Sequence, residues 1–444
     1  MVTTAHPTAP SGQLPGPKAA AVVARDDQVI SPSYTRSYPF VMDHGLGSEV
    51  WDVDGRRFID FTAGVAVLAA GHCHPAIVAA ITKQAQRYVH MAGTDFYLPE
   101  AVALAETLSR LAPGAEPKQV FFTNSGTEST EAAMKLCHHH TGRPCFISFL
   151  GAFHGRTYGS MSLGTSKALH RTHYQPLLAG IYHAPYPNPY RPPFDVPTER
   201  LGRACVDYIE HTMLTHLVRP EEVAGIVVET IQGEGGYIIP PPDFYPALRA
   251  LCTKYNIPLV MDEVQAGMGR TGKMFALQHW EVEPDVIMLA KGIGGGLPLG
   301  AIVARKSMMT WPSGAHANTF GGNPVACAAA LATIGLLEGS LMDNATRVGS
   351  AILDRMQAWP DRFPFIGDVR GRGLMIGFDL VEDRALRTPA HDLRDQIVDE
   401  AFHQGLLLLG AGAGAIRFCP PLVLTAALAD EALTILEGIM ARHS

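Results

Sequence analysis

The sequence has no large excess of either charge: 35 Lys and Arg against 42 Asp and Glu give a formal charge of -7 over 444 residues. It has no basic run and no aromatic-basic stripe, so a nucleic-acid partner is not expected. Uninterrupted apolar stretches of about 18 residues are missing too, which leaves no sequence argument for a membrane span. Cysteine is sparse. Its seven copies (Cys73, Cys137, Cys145, Cys205, Cys252, Cys327, Cys419) include no CxxC pair, a pattern of reduced thiols rather than a disulfide scaffold. The first thirty residues lack the basic start and apolar centre of a secretory signal. Rich in Ala, Pro, Thr and Gly, they are expected to be a mobile tail, and the cytoplasm is the expected location.

What is present suits a globular enzyme acting on small molecules: 47% of residues are hydrophobic and 17% charged. The length exceeds one usual domain, so two packed domains are expected. Through the middle of the chain, short β-branched apolar runs alternate with polar or Gly-rich loops and helix-like stretches, which argues for an α/β layer fold. Lys118–Thr123, Val223–Glu229, 257–262 and 285–290 read as strands apolar on both faces, as in a parallel sheet covered by helices. Residues 129–140 read as a helix stopped by Gly142. From about Pro364 the style changes, with 369–380 strand-like and a last helix from about Thr425. A hairpin is expected over 49–61, turning at Asp54-Gly55. The predicted layout is a tail over 1–30, an N-terminal segment over 31–65 packing with a small α+β domain, a large domain over 66–335 with a mostly parallel sheet, and the C-terminal small domain over 336–444.

The informative residues fall at the carboxyl ends of the predicted strands, where open α/β sheets place ligands. Asn124-Ser125-Gly126-Thr127-Glu128 joins a strand to a helix, so free N–H groups and the helix dipole offer an anion site; a plain N-cap would read the same. Asp262 ends an apolar strand, where an ionised carboxylate needs a cationic partner such as a pyridinium nitrogen, or else caps the following turn. Lys291 ends another and enters Gly292-Ile293-Gly294-Gly295-Gly296. Burial there would lower its pKa and free the amine for Schiff-base formation; a lysine reaching to solvent is the alternative. The glycines are not a dinucleotide fingerprint, because residues 298–305 read as a strand.

Phosphate cradle, strand-end Asp and, 29 residues on, strand-end Lys follow in an order that resembles the fold-type I pyridoxal-phosphate enzymes. The motifs resemble class III aminotransferases: Phe153-His154-Gly155-Arg156-Thr157, Glu229-Thr230-Ile231-Gln232-Gly233-Glu234-Gly235-Gly236, Asp262-Glu263-Val264-Gln265 and Thr319-Phe320-Gly321-Gly322-Asn323-Pro324. The resemblance runs from about Ser31 to the end. It is strongest to 4-aminobutyrate, ornithine and acetylornithine aminotransferases, as Phe61 to Leu68 and Gly71-His72-Cys73-His74-Pro75 also indicate.

The resemblance implies pyridoxal 5'-phosphate as cofactor and a role for each matching residue. Lys291 would carry the cofactor as a Schiff base and Asp262 would bind the pyridine nitrogen. Ser125, Gly126 and Thr127 would hold the phosphate, Phe153 would stack on the ring beside His154, and Gln265 would reach the ring hydroxyl. Glu229 would stand behind them, and Thr319 would complete the phosphate site from the other subunit of a homodimer or dimer of dimers. Arg156 and Arg417 would bind the carboxylates of a substrate such as 2-oxoglutarate, since a guanidinium binds a carboxylate bidentately. Glu234 would gate Arg417, and Val65 would line the substrate pocket. Phe153 stands where 4-aminobutyrate enzymes often carry Tyr, and Ser129 where Ala is usual.

The expected activity is amino transfer from an ω-amino or diamino acid to 2-oxoglutarate, giving an aldehyde and glutamate; an amino-acid racemase or aminomutase with the same residues is the alternative. His72-Cys73-His74 and 138–140 lack zinc-site spacing, so no metal is expected.

Overall fold

The computed structural model describes residues 14–444, so positions 1–13 of the expected tail lie outside the described residues. Residues 17–29 depart from that expectation. They form the helix Pro17–Val29, opened by Pro17, and Asp54 accepts hydrogen bonds from the Lys18 and Ala19 amides at 3.0 Å each. A carboxylate distant in sequence thus satisfies the first-turn N–H groups and fixes the helix.

Strands β1 (Met42–Leu46), β2 (Glu49–Asp52) and β3 (Arg57–Asp60) form an antiparallel meander. The expected hairpin is present, with Gly55 at φ +87° in its turn. β3 also pairs in parallel with Leu406–Leu407, which ties the N-terminal segment to the C-terminal part of the chain.

The central sheet holds β4 (Lys118–Thr123), β5 (Cys145–Phe149), β6 (Ile181–Ala184), β7 (Val223–Glu229), β8 (Leu259–Asp262), β9 (Val286–Leu289) and β10 (Gly300–Arg305), in the order β4-β10-β9-β8-β7-β5-β6. β6, β5, β7, β8 and β9 run parallel, and β10 is antiparallel to both its neighbours. β7, β8 and β9 are buried at every residue, which is why they read as unbroken apolar runs. β4 departs from that reading: it is an edge strand and only Thr123 is fully buried.

The helical run Pro324–Arg362, bulged at Leu337–Leu341, leads from this sheet to the C-terminal one through the expected boundary at 335/336. It is long and apolar enough to cross a membrane by length and composition. In this fold Ala326, Ala330, Ile334 and Leu337 are buried in the protein core, so its apolar face is already used.

The C-terminal sheet contains β11 (Ile366–Arg372), β12 (Met375–Asp383), β13 (Thr388–Pro389), β15 (Leu409–Ala411) and β16 (Ala415–Phe418), whereas β14 (Leu406–Leu407) is the strand that joins β3. The single strand-like stretch expected over 369–380 is two antiparallel strands, because Gly373 turns the chain at φ +53° against the backbone of Thr271. The last helix, Ala426–Met440, begins as expected at Thr425, whose hydroxyl accepts from the Leu428 amide at 3.2 Å. One hydrophobic cluster runs through both sheets, with Ile226 and Leu289 on one side and Phe378 and Phe418 on the other.

Candidate active site

The carboxyl ends of β7, β8 and β9 open onto a cavity of about 380 Å³. Ser125, Gly126 and Thr127 line one end, and Phe153, His154, Glu229, Asp262, Gln265 and Lys291 line the rest. Strand ends that stop together gather residues far apart in sequence, as parallel sheets do where strand order reverses.

At the first end the helix Gly126–Thr141 presents its N-terminus. Ser125 Oγ accepts from the Glu128 amide at 3.3 Å. The N–H groups of Gly126 and Thr127 lie between the cap residue and Glu128 and have no carbonyl one turn back in the helix, so an anion at this end meets free donors and the positive pole of the dipole. Thr127 Oγ1 is fixed by Thr157 Oγ1 at 2.8 Å and Ser160 Oγ at 2.6 Å. Two glycines keep the cradle open: a Cβ on Gly126 would lie 3.0 Å from Val264 Cγ1, and one on Gly155 would lie 2.5 Å from Thr127 Cβ.

Asp262, the last residue of β8, accepts from the Val264 amide with Oδ1 at 2.9 Å and faces His154 Nδ1 with Oδ2 at 2.7 Å. Burial works against a charged His154 ring, but the hydrogen bond and charge of Asp262 raise its pKa on balance. Glu229, at the end of β7, accepts from the amides of Phe153 at 2.9 Å and Gly233 at 2.8 Å, so it sets the backbone beside the cavity. Burial pushes its carboxyl up to about 7, opposed by the charge of His154. Gln265 accepts from the Tyr237 hydroxyl at 2.8 Å, which orients its amide.

Lys291 follows β9 in the left-handed region, at φ +49°, a sparsely populated conformation for a residue with a Cβ. Burial lowers its pKa and the positive charge of Arg417 adds to the effect, against Asp262, Glu234 and Glu229. The neutral, nucleophilic amine is thereby favoured.

The substrate residues flank the cavity rather than line it. Arg417 on β16 is buried and pairs with Glu234 at 2.6 Å, and Lys167 Nζ stands 3.7 Å from the other oxygen of that carboxylate. Arg156 is exposed, with its guanidinium 5.8 Å from the Phe153 ring centroid and one nitrogen 3.3 Å from His170 Nε2. Val65 does not border the cavity, whereas Val67 does. Thr319 is exposed and does not border the cavity of its own chain.

Sequence reasoning missed Val264 and Val67 as wall residues, although both stand inside motifs it singled out. It also missed Lys167 and His170, for which no pattern exists. The histidine clusters are committed locally. His72 Nε2 meets Asp60 at 2.8 Å, His74 accepts from the Ala76 amide at 3.2 Å, and His138 donates to the Arg143 carbonyl at 2.7 Å. Among the described residues, Asp207, Glu210 and His211 bring ligand-type atoms within 4.8 Å of one another, but Arg203 and Lys254 pair with the two carboxylates at 2.7 Å and 2.5 Å.

The cavity fits pyridoxal phosphate on its own terms: anion donors at one end, a buried carboxylate for a ring nitrogen, an apolar wall at Val264 and an amine whose pKa burial lowers, all lining one cavity. This is the arrangement of the fold-type I pyridoxal-phosphate enzymes. Residues 30–440 match the family model for class-III aminotransferases, and the chain belongs to that family. An alanine/serine racemase of Pyrococcus horikoshii is 38% identical over 95% of this chain and 90% of its own. A probable 4-aminobutyrate aminotransferase of Bacillus subtilis is 36% identical, covering 93% and 95%. Among solved structures, an amine transaminase from an uncultivated Pseudomonas species in its PLP-bound form superposes with a TM-score of 0.86 at 31% identity, covering 94% of this chain and 98% of that one.

Proposed function

We propose that this enzyme moves the amino group of an ω-amino or diamino acid, of the 4-aminobutyrate, ornithine or lysine type, to 2-oxoglutarate, giving an aldehyde and glutamate. The observation that carries the reading is the Arg417–Glu234 pair at 2.6 Å, with a second guanidinium, Arg156, held at 3.3 Å by His170, three residues beyond the Lys167 that faces Glu234. A donor without an α-carboxylate leaves the pair closed and presents its distal carboxylate to Arg156. A dicarboxylate such as 2-oxoglutarate engages both guanidinium groups, displacing Glu234.

Pyridoxal phosphate is the cofactor, and when bound it accepts the electrons released at the substrate carbon. Lys291 Nζ would hold it covalently and, once displaced by the substrate amine, would be the base that takes the proton from the carbon bearing the amine and the acid that gives it back. Asp262, fixed by His154, holds a proton at the pyridine nitrogen. Ser125, Gly126 and Thr127 bind the phosphate, Phe153 covers the ring, Gln265 meets the ring hydroxyl, and Glu229 fixes the Phe153 backbone. Val65, two positions before the wall residue Val67, shapes the substrate side.

In this reading two copies associate, and Thr319 of each reaches the phosphate end of the other. Supporting it, Thr319 lies beside Phe320, which is 59% exposed, and the flanking Asn318 and Gly321 line a surface pocket together with Tyr97, 99% exposed. The reduced cysteines suit the cytoplasm.

Incubation with 4-aminobutyrate, ornithine or lysine plus 2-oxoglutarate tests the proposal, with glutamate as the readout. Glutamate from none of them would end it. The second reading, an amino-acid racemase or aminomutase, is favoured by the Pyrococcus relative, because the same residues could return the proton to the original carbon. Chiral analysis of a single amino acid incubated without keto acid separates the two.

A further inference from the structure

The Glu234 carboxylate stands between two cations. One oxygen is 2.6 Å from Arg417 Nη1, and the other is 3.7 Å from Lys167 Nζ. The Arg417 side chain is 6% exposed and that of Lys167 is 45% exposed, so the carboxylate bridges a fixed interior charge and a mobile outer one. We propose that Lys167 is a specificity-determining residue: it receives Glu234 when Arg417 is released to bind a substrate carboxylate next to the amine. The inference rests on the reading of Arg417 as a carboxylate site.

The physical case starts from the cost of opening. Separating a buried pair leaves an uncompensated charge on each side, which is far less favourable than either the closed pair or two new pairs. The substrate carboxylate satisfies Arg417. Glu234 then needs a partner of its own, and Lys167 is the cation already beside it. Closing from 3.7 Å to a charge-assisted hydrogen bond takes a movement of about 1 Å, within the reach of a four-carbon stem without backbone change. Glu234 is mostly buried, and burial alone would favour its neutral form. Arg417 first, and Lys167 next, hold its pKa below the ordinary value, so Lys167 already acts on this carboxylate in the closed arrangement.

Lys167 is also well placed to couple the two carboxylate positions. It precedes the short turn Ala168–His170, and His170 accepts from Arg156 at 3.3 Å while its ring packs edge-on to Phe153 at 5.6 Å. Burial and the neighbouring charges of Arg156 and Lys167 lower the His170 pKa, which keeps the ring neutral and able to accept. One stretch of four residues therefore touches the gate of Arg417 through Lys167 and positions Arg156 through His170.

The test compares half-reactions of the holoenzyme, followed by cofactor absorbance, for wild type, Lys167→Met and Lys167→Arg. Glutamate needs Arg417 open, and 4-aminobutyrate does not. Lys167→Met is expected to lower kcat/KM for glutamate about tenfold and to leave 4-aminobutyrate within about twofold, with Lys167→Arg close to wild type. Equal loss on both donors, or loss on neither, overturns the proposal. If the wild type reacts with neither donor, the functional reading fails by itself. Glutarate binding to the holoenzyme, measured by calorimetry, then decides the role of Lys167: about tenfold weaker binding in Lys167→Met supports it, and unchanged affinity overturns it.

Discussion

His154 Nδ1 lies 2.7 Å from Asp262 Oδ2, with the two side chains 0% and 5% exposed. The imidazole donates to the carboxylate from a fixed position and leaves Asp262 Oδ1 to the Val264 amide. The carboxylate is thus oriented before any ring nitrogen meets it, and preorganised charge of this kind acts most strongly where water is excluded.

Two substitutions separate charge from orientation. Asp262→Asn removes the charge and should lower the half-reaction rate by about 10²–10³. His154→Asn keeps the charge but loosens its aim, and a smaller loss, about tenfold, is expected. Single-turnover rates with a saturating amine donor check both. Equal losses would show that His154 does more than orient.

A second prediction concerns Asp60 and an unusual turn. Ala63, Gly64, Val65 and Ala66 all have positive φ, from +48° to +65°, a left-handed helical turn that costs roughly 1–2 kcal/mol for each residue with a Cβ. Asp60 Oδ1 holds it by accepting from the Thr62 amide and hydroxyl, each at 2.7 Å, and from the Ala63 amide at 3.0 Å, while Oδ2 faces His72 at 2.8 Å. Asp60→Ala should destabilise the protein by about 3 kcal/mol, because several buried donors lose their acceptor. It should also raise KM, since the turn delivers Val67 to the cavity wall. Asp60→Asn should lose less of both. Urea unfolding and steady-state kinetics on the three proteins check this.

That turn also marks where the sequence stops being legible. Gly64 alone hints at a left-handed conformation; Ala63, Val65 and Ala66 do not, because the hydrogen bonds that Asp60 accepts from Thr62 and Ala63, with Asp60 itself fixed by His72, override their local preference. β7 was readable to its ends because it is buried on both faces, and Asp262 and Lys291 stood out because charge at the end of such strands is costly. The helix Pro17–Val29 was read as tail, since its cap, Asp54, is supplied from another part of the chain. Lys167 and His170 carry no pattern at all, as a loop brings them to Glu234 and Arg156.

Gly155 provides a third prediction. At φ +130° it occupies a conformation that disfavours a side chain, and its missing Cβ leaves room for Thr127 and Ser160, whose Oγ would lie 2.7 Å away. Gly155→Ala should push Thr127 off the helix N-terminus and weaken cofactor retention about tenfold or more, with the fold intact. Dialysis followed by cofactor absorbance and circular dichroism measures the two effects separately. Full retention in the variant would mean that Thr127 can shift without cost to the phosphate end.

The last prediction is a pH dependence with a definite sign. Burial pushes the Glu263 carboxyl from 4.5 up to about 7, against hydrogen bonds from the Thr230 hydroxyl at 2.7 Å and the Ala276 and Leu277 amides at 2.9 and 2.7 Å. Because the folded value lies above the unfolded one, the native state holds a proton that the unfolded chain gives up. The associated stability is complete below pH 4.5 and is lost as pH rises through about 7. Its full size is of the order of 3 kcal/mol. Glu229 titrates in the same window, so the wild type alone cannot isolate the effect, and the comparison must be with Glu263→Gln, which cannot release that proton. The stability of wild type relative to Glu263→Gln, from urea midpoints between about pH 4 and 8, should fall steadily as pH rises. A gap that stays constant across that range would mean that Glu263 keeps its charge in the interior, with its three donors outweighing burial.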